Sequence, residues 1–383
     1  MYLFTSESVS AGHPDKIADQ ISDLILDYFF EKDSDARVAA ESFVTPSKII
    51  IAGEIRTNYI PDYKIIESRI RNLIREIGYV EGKFSYDKVA IEFLFNKQSE
   101  DIALGVDKGG KDSEGAGDQG IMFGYACQET TEFMPASLIY SHKILKNIYQ
   151  EQRGGNISGF GPDAKSQVTL SYDDDGNIDY IDTILLSIQH QESMDINDII
   201  NEVKPIIYKI IPKKFIDNRT KFLFNPTGKF IIGGPEGDVG LTGRKIIVDT
   251  YGGAAAHGGG AFSGKDYTKV DRSGAYIARY LAKNIVSANL AKKCLIQLSY
   301  AIGITKPISI YVNSFGTSSV PESEIVKMIN ENVDLTPRGI KELLQLNRPI
   351  YLPTATYGHF GRTYDANQGL FSWERIDNTL FSS

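Results

Sequence analysis

The chain has 383 residues, 42% of them hydrophobic and 23% charged, with a formal net charge of -8. That length allows two or three domains around a large core, and the acidic balance excludes a broad nucleic-acid-binding surface. No apolar run is long enough to span a bilayer and the first ten residues hold no Lys or Arg, so neither a membrane span nor a secretory leader is read and a cytoplasmic protein is expected.

Along residues 14–30, Ile17, Ile21, Leu24, Ile25 and Tyr28 recur on one face and predict a helix. Gly12-His13-Pro14-Asp15 precedes it. Proline suits a first helical turn, and a helix N-terminus offers free N–H groups to an anion. His13 and Asp15 therefore stand where a phosphate and its metal would be met, although His13 also reads as a plain capping residue. Two strand-like runs follow at 37–44 and 48–57, joined by Thr45-Pro46-Ser47, each with one carboxylate, Glu41 and Glu54. Either Glu faces water or, if buried, needs a cation beside it. A helix is predicted at 62–77 and a strand at 88–95.

From 98 to 120 the pattern changes, with seven charged side chains before Gly115 and little periodicity. Long unpatterned segments in compact proteins are often functional. Residues 98–112 are read as a lid, and GAGDQG (115–120) as a turn into the strand IMFGYAC. Cys127 in that strand and Cys294 in a later one are read as buried thiols that build no disulfide or metal framework. A helix at about 135–152 precedes a hairpin over 165–189, turned at Asp174-Asp175-Gly176-Asn177. Then come a helix at 195–210 and the strand TKFLFNPTGKFII.

Residues 233–274 hold 12 of the chain's 35 glycines, with Arg244, Lys245, Lys265, Lys269 and Arg272 among them. Glycine backbone can approach a ligand closely, and N–H groups beside Arg and Lys cradle phosphate oxygens. Asp238, Asp249, Asp266 and Asp271 share the segment and are natural Mg²⁺ ligands on a polyphosphate. A flexible linker is the rival reading of GGAAAHGGG, but that run follows KIIVDTY, read as an apolar strand. Gly259 to Asp266 almost fits a P-loop, with Asp266 in place of the metal-binding hydroxyl. A helix at 271–290, strands at 293–303 and 307–316, and helices at 321–333 and 336–346 follow, before an irregular tail. Strands in adjacent pairs followed by helices predict an α+β fold, with helices on one face of largely antiparallel sheets.

The blocks LFTSESVS and GHPDKIADQISD (3–23), GAGDQG and MFGYA (115–126), PDAKSQVT (162–169), NPTG (225–228), the 233–274 segment and YGHFGR (357–362) span the chain. Together they resemble the S-adenosylmethionine synthase, or methionine adenosyltransferase, family. Ala11 stands where Glu is common, Gly161 where a larger residue usually precedes PDAK, and TYDANQGL (363–370) looks like a small insertion.

The resemblance implies three similar α/β subdomains with interleaved segments, divided as 1–98, a mobile loop 99–114, 115–231 and 232–383. It implies homodimers paired into homotetramers, with active sites between subunits. The implied reaction transfers the adenosyl group of ATP to the sulfur of L-methionine and then hydrolyses the bound tripolyphosphate to pyrophosphate and phosphate. Implied for His13 is a place at the oxygen bridging ribose and triphosphate, where it would stabilise or protonate the leaving group. Asp15 and Asp271 would bind Mg²⁺, two ions per site, and Glu41 would bind K⁺. Glu54, Gln98, Asp118, Asp238 and Lys269 would surround methionine. Lys165, Lys245 and Lys265 would hold the phosphates, with Arg244 suited to tripolyphosphate cleavage. Asp163, Ala164, Lys229, Phe230, Asp238 and Ala261 would line the ATP pocket. The rival readings are an ATP phosphotransferase, which would release ADP, and a catalytically silent nucleotide sensor.

Overall fold

The computed structural model describes residues 1–97 and 115–381. In chain order its elements are β1 (Tyr2–Val9), α1 (Pro14–Phe30), β2 (Arg37–Val44), β3 (Lys48–Arg56), α2 (Tyr63–Ile77), β4 (Ala90–Lys97), β5 (Gly120–Cys127) and α3 (Ala136–Arg153). They continue with β6 (Phe160–Tyr172), β7 (Ile178–His190), α4 (Ile196–Ile210), β8 (Lys221–Phe224), β9 (Gly240–Leu241) and the short α5 (Ile246–Asp249). The last are α6 (Val270–Ser287), β10 (Lys293–Tyr300), β11 (Ser309–Asn313), α7 (Glu322–Asn332) and α8 (Pro337–Leu344).

Local sequence explains most boundaries. Asp62 caps α2 by accepting from Lys64 N–H and Ile65 N–H, and Gly78 ends it at φ 119°. Asp195 and Asp198 form a reciprocal capping box at α4. In β2 the buried residues alternate, Val38, Ala40, Ser42 and Val44, and this face packs on α1. The β6–β7 hairpin closes where Asp173 accepts from the N–H groups of Asp175 and Asn177.

The strands form three sheets, in the orders β1-β6-β7-β8, β4-β3-β2-β9 and β11-β10-β5. All pairings are antiparallel except β3 with β4 and β7 with β8. Sheet membership does not follow chain order: β1 joins the central strands, β5 joins β10 and β11, and β9 returns to β2. The fold is α+β with interleaved segments. Helices pack on one side of each sheet, α3 on β1 and β6, α1 on β2, and α6 on β5 and β10. Among the described residues no helix is long and apolar enough to cross a membrane.

Two stretches depart from the sequence reading. KIIVDTY is not a strand, because Ile246–Asp249 forms a single helical turn between Gly243 and Gly252, both at positive φ. A short apolar run does not distinguish strand from helix, and here the flanking glycines decide. The strand at TKFLFNPTGKFII stops at Phe224, since Asn225 takes φ 37° and Gly228 N–H turns back to its carbonyl at 2.7 Å. Cys127 and Cys294 are buried free thiols, and burial pushes each up to about 12.

Candidate active site

His13 is the N-cap of α1. Its Nδ1 accepts from Asp15 N–H at 3.2 Å, its carbonyl accepts from Ile17 N–H, and only 6% of the residue is exposed. Burial, reinforced by Lys245, lowers its pKa to about 3, with Asp15 opposing the shift. The ring is therefore neutral at ordinary pH. Because Nδ1 accepts, its proton sits on Nε2, so the cap and the functional reading of His13 are compatible.

Asp15 faces the other way. Lys245 Nζ lies 2.5 Å from its Oδ2, Leu241 N–H donates to Oδ1 at 3.0 Å, and Arg244 Nε stands 3.7 Å off. Burial works against its charge, but Lys245 and the Leu241 N–H outweigh that and hold the carboxyl below its usual range. Arg244 is exposed and Lys245 half-buried.

Strand β6 starts beside this cap. Ser10 and Ala164 exchange hydrogen bonds, and Lys165 pairs in register with Val9, exposed. Asp163 Oδ2 accepts from Gly234 N–H at 2.8 Å, while its buried Oδ1 has no partner. Burial raises this carboxyl to about 6, and its free oxygen suits a hydrogen-bond donor on a ligand. Phe230 exchanges hydrogen bonds with His190, placing the exposed Lys229 next to it, and Asp238 is exposed just past the turn Gly234–Glu236. His13, Asp15, Asp163, Ala164, Lys165, Arg244 and Lys245 thus gather at the mouth of α1, with Asp238 electrostatically close to Asp163 and Lys229 and Phe230 on the turn after β8.

The other predicted residues gather along β2 and the start of α6. Lys265 bridges to Ala39 of β2, and its Nζ holds Asp271 Oδ2 at 2.7 Å. Lys269, the N-cap of α6, pairs with Asp266. Glu54 lies opposite Ala39 and Glu41 opposite Ala52, on the sheet face away from α1; Glu54 is half-buried and Glu41 exposed. Asp118 is exposed beside Gly117, whose N–H reaches the Thr268 carbonyl. Ala261 sits between the two groups, against the turn at Gly243. Gln98 and the 98–112 segment lie outside the described residues.

Three members of the Gly-rich segment are structural instead of ligand-facing. Arg272 is buried and grips Asp23 with two nitrogens, at 2.7 and 3.0 Å. Asp249 is buried against Lys16 at 2.5 Å, and Asp266 accepts from Val38 N–H and Thr268. The sequence reading also missed what holds the segment. Asp15, Asp19, Asp23 and Asp27 repeat every four residues along α1, and accept backbone N–H groups from Leu241, Gly243, Gly264 and Leu352 in turn. The period-four Asp stripe in a helix that also carries a strong apolar face was the available signal.

Mg²⁺ is a hard ion that takes oxygen ligands; Asp271 is half-buried, whereas Asp15 is 2% exposed with its oxygens on Leu241 N–H and Lys245. Among the described residues no three His, Cys, Asp or Glu side chains converge on one point. Asp15, with Lys245 on its Oδ2, and Asp271, with Lys265 on its Oδ2, are the carboxylates that would meet such an ion.

Three family models match the chain in sequence: the S-adenosylmethionine synthetase N-terminal domain over residues 1–100, the central domain over 113–230 and the C-terminal domain over 232–375. The chain is 53% identical over 379 residues to the S-adenosylmethionine synthase of Pelagibacter ubique, covering 98% of this chain and 97% of that one. It is 54% identical over 381 residues to that of Paracoccus denitrificans and 52% identical over 376 residues to that of Maricaulis maris, with 98% of this chain and 96% of each relative covered.

Proposed function

The chain belongs to the S-adenosylmethionine synthetase family, and on that premise we propose how its residues divide the work of making S-adenosylmethionine from ATP and L-methionine. The methionine sulfur attacks C5′ of ATP in line with the departing oxygen, tripolyphosphate leaves, and water then splits it into pyrophosphate and phosphate. Negative charge grows on the leaving oxygen, so groups that meet it there lower the barrier. One observation carries the assignment: a neutral His13, with Nδ1 tied to a backbone N–H and Nε2 left to donate, sits among Lys245, Arg244 and Asp15.

His13 donates to the oxygen that bridges ribose and triphosphate. Lys165, Lys245 and Lys265 hold the phosphate chain, and Arg244 grips its far end for the hydrolytic step. Asp163, Ala164, Lys229, Phe230, Asp238 and Ala261 receive the rest of ATP, while Glu54, Asp118, Asp238 and Lys269 receive methionine. Asp15 and Asp271 hold Mg²⁺, two ions per site, and Glu41 holds K⁺. When bound, Mg²⁺ neutralises charge on the phosphate oxygens.

We read the chain as three domains that self-associate through the sheet faces left bare by the helices. Leu3, Leu94, Ile121, Leu223 and Tyr311 are exposed on strands of all three sheets. Homodimers paired as homotetramers, with the His13 group of one subunit facing the Lys265 group of its partner, would cover them. A cytoplasmic location suits an enzyme that draws on ATP and free methionine.

Membership of the family sets aside the phosphotransferase and the silent sensor. Incubation with ATP and L-methionine followed by product chromatography is expected to show S-adenosylmethionine, pyrophosphate and phosphate. ADP as the product would indicate phosphoryl transfer, and no turnover would indicate a sensor.

A further inference from the structure

Tyr79 follows the glycine that ends α2, and its backbone N–H still bonds back to Ile74 at 3.1 Å. Its side chain is buried, packed edge-on against Phe84 at 5.3 Å between centroids. The hydroxyl donates to the Gly12 carbonyl at 2.6 Å. That carbonyl belongs to the peptide unit leading into His13, whose N–H donates to Ser10 at 3.1 Å. The plane that aims His13 is therefore held at both ends.

The same ring lies under Gly234, at φ 61°, where an added Cβ would come within 1.9 Å of the Tyr79 oxygen. Gly234 in turn donates to Asp163. Just beyond Tyr79, the N–H groups of Lys83 and Phe84 reach Glu236 at 2.5 and 3.1 Å. One loop from α2 thus supports the His13 cap, the Asp163 contact and the turn before Asp238, and none of its residues belongs to the ATP, methionine or metal groups above.

We propose that Tyr79 is a positioning residue for adenosyl transfer, its hydroxyl fixing the peptide plane that aims His13 at the leaving oxygen. This rests on the reading of His13 given above. The expected signature is a loss in turnover with little change in substrate binding, because a donor that acts in the transition state is sensitive to small misplacement.

The test is a double-mutant cycle between Tyr79→Phe and His13→Ala, with kcat and both KM values measured on the full-length enzyme. Y79F alone is expected to lower kcat about tenfold, the equivalent of one buried hydrogen bond, with both KM values within about twofold. In the H13A background it is expected to change kcat by less than about twofold, since its target is gone. A purely structural role would instead give the same loss in both backgrounds, and that additive result overturns the inference. If H13A retains wild-type turnover, both the His13 reading and the inference fall. If H13A is crippled and Y79F is silent, only the inference falls. Should Y79F not fold, Tyr79→Met, which also removes the hydroxyl but fills the space flexibly, is expected to show the same kcat-specific loss, and unchanged kcat there overturns it.

Discussion

A histidine at a helix N-terminus among lysines cannot easily hold a proton of its own, and that decides how His13 works. Burial and Lys245 keep it neutral, so in the proposed role it would meet the leaving oxygen by donating from Nε2 and not by carrying charge. His13→Ala is expected to lower the single-turnover rate of adenosyl transfer by about 10²–10⁴-fold, the usual range for a positioned proton donor, while ATP affinity changes little. A variant that binds ATP poorly yet turns over bound substrate at the normal rate would refute this. Arg244 sits differently, exposed and 3.7 Å from Asp15. A guanidinium can grip two phosphate oxygens in parallel, which an ammonium cannot. Arg244→Lys is therefore expected to form S-adenosylmethionine but to retain uncleaved tripolyphosphate. Quenched-flow measurement showing pyrophosphate and phosphate released at the normal rate would count against that role.

Helix α1 carries the architecture of the site through its four-residue stripe of Asp. Asp19 is matched by Lys16 at 2.8 Å and Asp23 by Arg272, while Asp27 accepts from the N–H groups of Tyr351 and Leu352. Arg272→Ala would leave Asp23 buried and uncompensated, so a loss of about 3–5 kcal/mol is expected, the usual cost of breaking a buried pair. Thermal unfolding of R272A beside the double variant D23N/R272M checks this, because the double variant should recover part of the loss. Asp27 gives a pH test. Burial, which outweighs the two N–H bonds, raises it to about 7, so the folded chain keeps a proton that the unfolded chain has already lost. Its contribution to stability is complete below the ordinary carboxyl pKa and disappears as pH rises towards 7. The Tm of Asp27→Asn relative to the wild type should accordingly be more favourable at pH 8 than at pH 5, and an equal difference at both would exclude Asp27 as the source. The apolar face of α1 and the cap at Gly12-His13-Pro14 were legible in the sequence because helical period and capping are local signals. The partners of the Asp stripe were not, since Asp23 and Arg272 stand 249 residues apart and only the tertiary fold joins them. For the same reason Arg272, Asp249 and Asp266 read as ligand groups in a Gly-rich segment and proved to be its fastenings.

The whole molecule is laced together by segments that leave their own neighbourhood. Strand β1 completes the sheet of β6, β5 that of β10, and β9 that of β2, so neither the sheets nor the site follow chain order. The tail is fastened likewise: Trp373 stacks on Tyr276 at 3.8 Å, and Glu374 takes Arg279 at 3.0 Å and Lys283 at 2.6 Å. The α+β pattern of strand pairs and helices was visible from periodicity alone, whereas sheet order depended on long-range pairing that no local pattern encodes. This lacing also separates the residues of the proposed reaction, with His13, Arg244 and Lys245 at the mouth of α1 and Lys265, Lys269 and Asp271 beyond β2 at the start of α6. If the active site is completed between paired subunits, lesions in the two groups should complement each other. Differently tagged His13→Ala and Lys269→Ala chains, each inactive alone, would be coexpressed and the doubly tagged assembly purified. In each mixed dimer one site then collects both lesions and the other collects none, so about half of wild-type activity per dimer is expected from symmetric pairing. Were each site built within a single chain, every site in the mixed dimer would carry one lesion and the assembly would stay as inactive as its parents, which would refute the shared-site arrangement.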